Sequence, residues 1–157
     1  MPEPDEFTSD TESDYTKLRD LLVAGQWQEA DEETGVVMLK ITHRVSSGWI
    51  TEEDIVEFPS KDLKIIDSLW VRHSKSRFGF SVQSLIWERV GEDYLRFSDA
   101  VGWRVDYKWQ HYSQLVFGLE AAIGHLPAAP FFTSNGAAIG WAASLPLKLE
   151  DCYADDF

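Results

Sequence analysis

Asp14 to Ile41 reads DYTKLRDLLVAGQWQEADEETGVVMLKI, and its spacing decides the fold class. Tyr15, Leu18, Leu21 and Leu22 recur at the interval that stacks side chains on one face of a helix. Gly25 is a natural stop, because glycine enters the left-handed backbone region without a steric penalty. Trp27, Ala30, Thr34, Val37, Met38 and Ile41 then mark one face of a second helix. Gly35 weakens that helix without ending it. The carboxylates Glu29, Asp31, Glu32 and Glu33 read as its solvated side.

The helical pattern continues outward. Arg44 to Gly48 is a loop by composition, with Ser46-Ser47-Gly48 at its tip. Thr51 and Asp54 have the spacing of a reciprocal cap, with Ile50 and Ile55 as an apolar staple, so a third helix starts there. Phe58-Pro59 ends it. Ser60 is placed to cap a fourth helix, whose inner face is Leu63, Ile66, Leu69 and Trp70. Val82, Leu85, Ile86 and Val90 predict the apolar face of a fifth helix starting near Ser81. Tyr94, Phe97 and Val101 predict a further short one. Beyond Gly102 regularity fades: Asp106-Tyr107-Lys108-Trp109 looks like a turn, and Ala128 to Gly140 like a loop. The expected architecture is mainly α, a compact bundle of short helices with long C-terminal loops.

Composition narrows the function. The 157 residues suit one domain with a real core, here expected over residues 14–150. Met1 to Ser13 is acidic and carries two prolines, and residues 151–157 are acidic again. Both ends are expected to be solvated tails. A net charge of −13 argues against nucleic acid and anionic membrane as partners. The lone Cys152 excludes an internal disulfide, and no apolar run is long enough to span a bilayer. A reducing compartment follows as the expectation: a bacterial cytoplasm, or a plastid stroma if the source is eukaryotic.

The residues offer little to an enzyme. No Gly-x-Ser-x-Gly elbow, phosphate loop or dinucleotide fingerprint is present, and Cys152 sits among acids that disfavour its thiolate. His43, His73, His111 and His125 are too scattered for a structural zinc site. His125, within Gly124-His125-Leu126-Pro127, reads as a hydrogen-bonded imidazole in a tight turn rather than as an axial iron ligand. Two aromatic segments stand out instead: Arg77-Phe78-Gly79-Phe80-Ser81-Val82-Gln83, and the run from Val101-Gly102-Trp103-Arg104 through Trp109, Tyr112 and Phe117. Rings with few cations suit gripping a large flat ligand better than breaking a bond, although the residues by themselves favour the plainer reading, with Phe80 and Trp103 as core and Arg77 as a surface charge.

In order and spacing, these segments resemble the genomes-uncoupled-four domain family. The likeness runs from about Asp14 to Pro127. It includes DYTKLRDLLVAGQWQEAD, TGVVMLK, Gly48-Trp49 to Phe58-Pro59, DLKIIDSLWV, RFGFSVQ, VGWR and GHLPA. The resemblance implies a helical domain with a concave greasy face that takes up protoporphyrin IX or Mg-protoporphyrin IX reversibly. It implies no enzymatic activity and no obligatory cofactor. The implied role is stimulation of magnesium chelatase, through its large subunit, in chlorophyll synthesis, by a monomer of cyanobacterial or plastid type.

A tetrapyrrole presents two apolar faces and an edge of propionates, so it wants flat side chains and guanidinium groups. Matched to the family motifs, Phe78, Phe80, Val101, Trp103 and Arg104 are the implied pocket residues. Trp109, Tyr112 and His125 lie in the matched region, and Phe131 and Phe132 complete the candidate set. Two departures stand out. Ala100 occupies a position where the family pattern places arginine, and no Lys or Arg follows Pro127 until Lys148. Each missing cation removes a charged hydrogen bond of about 1–3 kcal/mol. Weaker or altered binding is expected, with an open-chain bilin as an alternative guest. The competing reading is a ligand-free sensory or interaction module on the same scaffold.

Overall fold

The computed structural model describes residues 14–133, Gly136 and residues 144–153. The N-terminal tail expected over residues 1–13 lies outside them. The helices are α1 (Thr16–Val23), α2 (Trp27–Ile41), α3 (Glu52–Val56), α4 (Ser60–His73), α5 (Phe80–Arg89), α6 (Tyr94–Ala100) and α7 (Ser144–Tyr153). A two-stranded antiparallel hairpin, β1 (Arg104–Val105) and β2 (Lys108–Trp109), pairs Arg104 with Trp109 and Val105 with Lys108. Two 3-10 turns, Tyr112–Gln114 and Ala129–Phe131, shape the loop beyond it. The fold is mainly α, as the periodicity predicts. No helix among the described residues is long and apolar enough to cross a membrane.

The first half follows its local signals. Leu18 and Leu22 of α1 are buried, and Gly25 turns the chain with φ +72° into α2. The cap of α3 is reciprocal: Thr51 N donates to Asp54 Oδ2 at 2.9 Å and Asp54 N donates to Thr51 Oγ1 at 3.1 Å. In α4, the Trp70 indole N–H donates at 2.9 Å to Thr34 Oγ1, which itself donates to Ala30 O. That pairing lets a polar edge sit in the interior between α2 and α4 without an orphaned donor. Trp70 also meets Phe78 and Trp27.

Three local readings are corrected. Ser60 is the first residue of α4 rather than its cap; Pro59, with φ −58°, stands at the N-cap and no side chain bonds the helix end. The inner face of α5 is Phe80, Gln83 and Trp87, while Leu85 is 54% exposed. The cause is Gln83, whose Nε2 donates at 3.0 Å to both Gly124 O and Pro127 O. Hydrogen bonds to a distant turn set the rotation of this helix, against its hydrophobic pattern. Lastly, α7 runs through Cys152 and Tyr153, which were expected in a tail. Leu145, Leu149 and Cys152 are buried where α7 packs across α3, α4 and α5.

Two glycines are there for close approach. A Cβ on Gly79 would lie 2.6 Å from Val71 Cγ2, and its φ of +126° suits no other residue type. A Cβ on Gly35 would lie 3.0 Å from the Ala129 Cβ, so α2 receives the 129–131 turn directly on its backbone.

Candidate ligand-binding site

Most of the aromatic residues singled out in the sequence, though not Phe78 or Trp109, converge into one layer. Trp103 touches Phe97, Phe131 and Phe132, with ring centroids 5.5, 4.8 and 5.8 Å away. Phe80 meets Phe131, and Tyr112 meets Phe117 and Phe132. The layer is mostly interior. Phe78, Phe80, Val101, Trp103, His125, Phe131 and Phe132 are all buried. Phe78 belongs to a second cluster, with Trp27 and Trp70. In this conformation these seven side chains are buried and do not themselves form a surface.

Their polar atoms are engaged too. The Trp103 indole N–H donates to His125 O at 2.9 Å. His125 Nδ1 lies 2.6 Å from Val101 O, and Val116 N donates to Nε2 at 3.0 Å. The network assigns the neutral imidazole with its proton on Nδ1. Burial lowers its pKa, against the opposing pull of the Val101 carbonyl. Both ring nitrogens are therefore occupied, which matches the tight-turn reading and leaves no free lone pair for a metal. Arg77 is structural as well, with Nε donating to Ala121 O at 3.0 Å.

Three of the ten candidates reach solvent. Trp109 is 42% exposed and stacks on Tyr94, centroids 5.4 Å apart and planes 27° off parallel. Arg104 holds its guanidinium 3.4 Å from Asp99 and 5.4 Å from the centre of the Tyr107 ring. Tyr107 is 84% exposed at the hairpin turn, where Asp106 and Tyr107 have φ of +51° and +67°. Tyr112 is half-buried. The hairpin thus presents an indole, a phenol and a guanidinium on one short strand pair.

Sequence reading missed the group that fixes this region. Asp31, expected on a solvated face, is fully buried. Its carboxylate accepts the Tyr112 hydroxyl, Ala128 N at 2.6 Å and Ala129 N at 2.9 Å. Burial pushes its pKa up to about 6, with the three donors pulling the other way. Burial also raises the Tyr112 phenol, and Asp31 adds to that shift. No local signal reveals Asp31, because every donor is at least 81 residues away in sequence.

A cavity of about 1200 Å³ opens elsewhere, between α4, α5 and α7. None of the ten candidates lines it. Its walls include Val71, Leu85, Trp87 and Leu147, with Glu88, Glu92 and Glu150 also on the lining.

The GUN4-like family model matches residues 8–141. A chloroplastic tetrapyrrole-binding protein of Arabidopsis thaliana is 33% identical over 130 residues, covering 75% of this chain and 49% of the relative. A Ycf53-like protein of Synechocystis is 31% identical over 117 residues, covering 73% of this chain and 50% of the relative. The chain therefore spans about half the length of these curated relatives. The structure of GUN4 from Chlamydomonas reinhardtii superposes with a TM-score of 0.76 at 27% identity, covering 92% of this chain and 95% of that one. Ligand-free GUN4 of Arabidopsis thaliana gives 0.71 at 29% identity, covering 88% and 96%. Sharing both the sequence pattern and the helical architecture, the chain belongs to the GUN4-like family.

Proposed function

We propose that this protein binds a tetrapyrrole reversibly, without chemistry of its own, and presents it to magnesium chelatase. Family membership carries the reading, together with the 33% identity to a protein named for tetrapyrrole binding. The guest is protoporphyrin IX or Mg-protoporphyrin IX. It rests a face on Trp109 and the hairpin, with Tyr112 at its border and Arg104 meeting a propionate. Trp103, Phe131 and Phe132 hold that surface from behind. The α4–α5–α7 cavity is the poorer seat for such a ligand, because its three glutamates would repel propionates. Holo protein accumulates by mass action as pigment rises, and the chelatase large subunit takes the pigment from it.

Titration with each porphyrin, followed by tryptophan fluorescence and the Soret band, tests the binding. Saturable quenching that weakens in Trp109→Ala and Arg104→Ala is the expected result. A flat titration overturns the reading. A chelatase assay at limiting porphyrin, with and without this chain, tests the accessory role. The second reading is a bilin-binding or ligand-free sensory module. It draws support from Ala100, the absence of Lys and Arg between Pro127 and Lys148, and the burial of seven candidate residues.

A further inference from the structure

The cavity between α4, α5 and α7 is unlike the aromatic layer in both chemistry and access. The helices that flank it repeat one pattern. On α5, Leu85 is followed three residues later by Glu88; on α7, Leu147 is followed three residues later by Glu150. That spacing puts each leucine and its glutamate on one helix face, and all four residues line the cavity. Leu85 is 54% exposed and Leu147 66%, while both glutamates are exposed. Glu92 adds a third exposed carboxylate, and Arg72 is the one cation on the lining. Val71, Trp87 and Leu149 form the floor. Ser84 also lines the cavity, and its buried Oγ has no hydrogen-bond partner. A buried hydroxyl left unpaired costs free energy until something supplies a partner.

We infer that this groove docks an amphipathic helical segment of a basic partner protein. The leucines offer an apolar stripe of the kind that helix-in-groove recognition uses. The glutamates meet lysines or arginines flanking the partner's apolar face. Charge decides among occupants. A second copy of this chain would bring net charge −13 toward the same acidic rim. A porphyrin would bring propionates. A cationic helix brings the matching sign. One wall of the groove, α7, begins beyond residue 141, where the family match ends, so the surface includes a part of this chain outside the shared pattern.

Fluorescence anisotropy on the full chain tests this directly. The probe is a labelled synthetic helix with a leucine stripe flanked by lysines; its control replaces the lysines by glutamates. The lysine helix is expected to bind with an affinity that falls as salt rises, and the glutamate helix not to bind. Glu88→Lys with Glu150→Lys should weaken binding by about tenfold. Leu85→Ser with Leu147→Ser should do so at unchanged salt dependence. Glu29→Lys with Glu32→Lys, a pair of exposed carboxylates on α2, should leave affinity within about twofold. Equal binding of both helices, or equal loss from the α2 pair, overturns the inference. It is also overturned if the Leu85/Leu147 variant loses protoporphyrin binding instead, or if sedimentation shows that variant breaking a dimer. Pigment titration of wild-type protein is a separate reading, so failure of tetrapyrrole binding and failure of helix docking are distinguishable.

Discussion

The aromatic layer around Trp103 and the groove between α4, α5 and α7 both mix rings, leucines and polar groups. In the first, the Trp103 indole, both nitrogens of His125 and the Asp31 carboxylate all have partners, although Gln83 Oε1 and Ser98 Oγ nearby do not. In the second, leucines are exposed and three glutamates from α5, α7 and the turn after α5 share the lining with them. A sealed interior defines one conformation, whereas exposed leucines beside like charges leave interaction energy for something else. The difference separates residues that make the fold from residues available to a partner, and abundance of aromatics alone does not draw that line.

The comparison can be broken at its strongest point first. Trp103→Ala should destabilise the protein by about 3–5 kcal/mol, read by urea denaturation, because it empties a site bounded by three phenylalanine rings. A loss below about 1 kcal/mol would mean that the layer is not the core described here.

Asp31→Ala should cost about 1–3 kcal/mol by leaving the Tyr112 hydroxyl and two amides without their acceptor. Asp31→Asn keeps an acceptor oxygen and should cost less. The same residue has a pH signature. Its folded pKa, about 6, lies above the ordinary carboxylate range, so the native state holds the proton more tightly than the unfolded chain. That contribution to stability is fully present below about pH 4 and is lost as pH rises through about 6. Denaturation curves between these limits should show the decline in wild type, and Asp31→Asn should remove it.

Smaller effects belong to the exposed rings. Trp109→Ala should weaken porphyrin binding by about 1 kcal/mol, roughly fivefold, while changing stability less than Trp103→Ala does. Comparing the two variants in one titration series sharpens the division between wall and surface. Leu85→Ser should change stability by no more than about 0.5 kcal/mol, as expected for a half-exposed side chain. A larger thermal shift would show that the groove is part of the core.

The amino-acid pattern reveals what is local and misses what is distant. Helices α1 to α3 could be read because their apolar spacing, Gly25 and the Thr51–Asp54 pair act within a few residues. The rotation of α5 could not, since Gln83 is held by carbonyls 41 and 44 residues away. The burial of Asp31 was hidden for the same reason. Helix α7 follows a stretch rich in Ala, Gly and Pro and runs into acids, so its amphipathic face was masked by its neighbours. Of the motif residues, Phe80 and Trp103 are fully buried in this conformation, a position that plain core residues also take.

The Asp31 carboxylate has a consequence for the order of assembly. Its acceptors wait for hydroxyl and amide groups that lie 81 to 98 residues further on. During synthesis α2 leaves the ribosome long before those groups exist, so its ionised side chain must stay hydrated on a half-formed helix pair. The closing contact is among the longest-range hydrogen bonds described in this fold, and such contacts slow folding. A nascent fragment ending before Tyr112 therefore exposes a hydrated charge where the finished protein has a sealed joint, a state that a chaperone or protease could recognise.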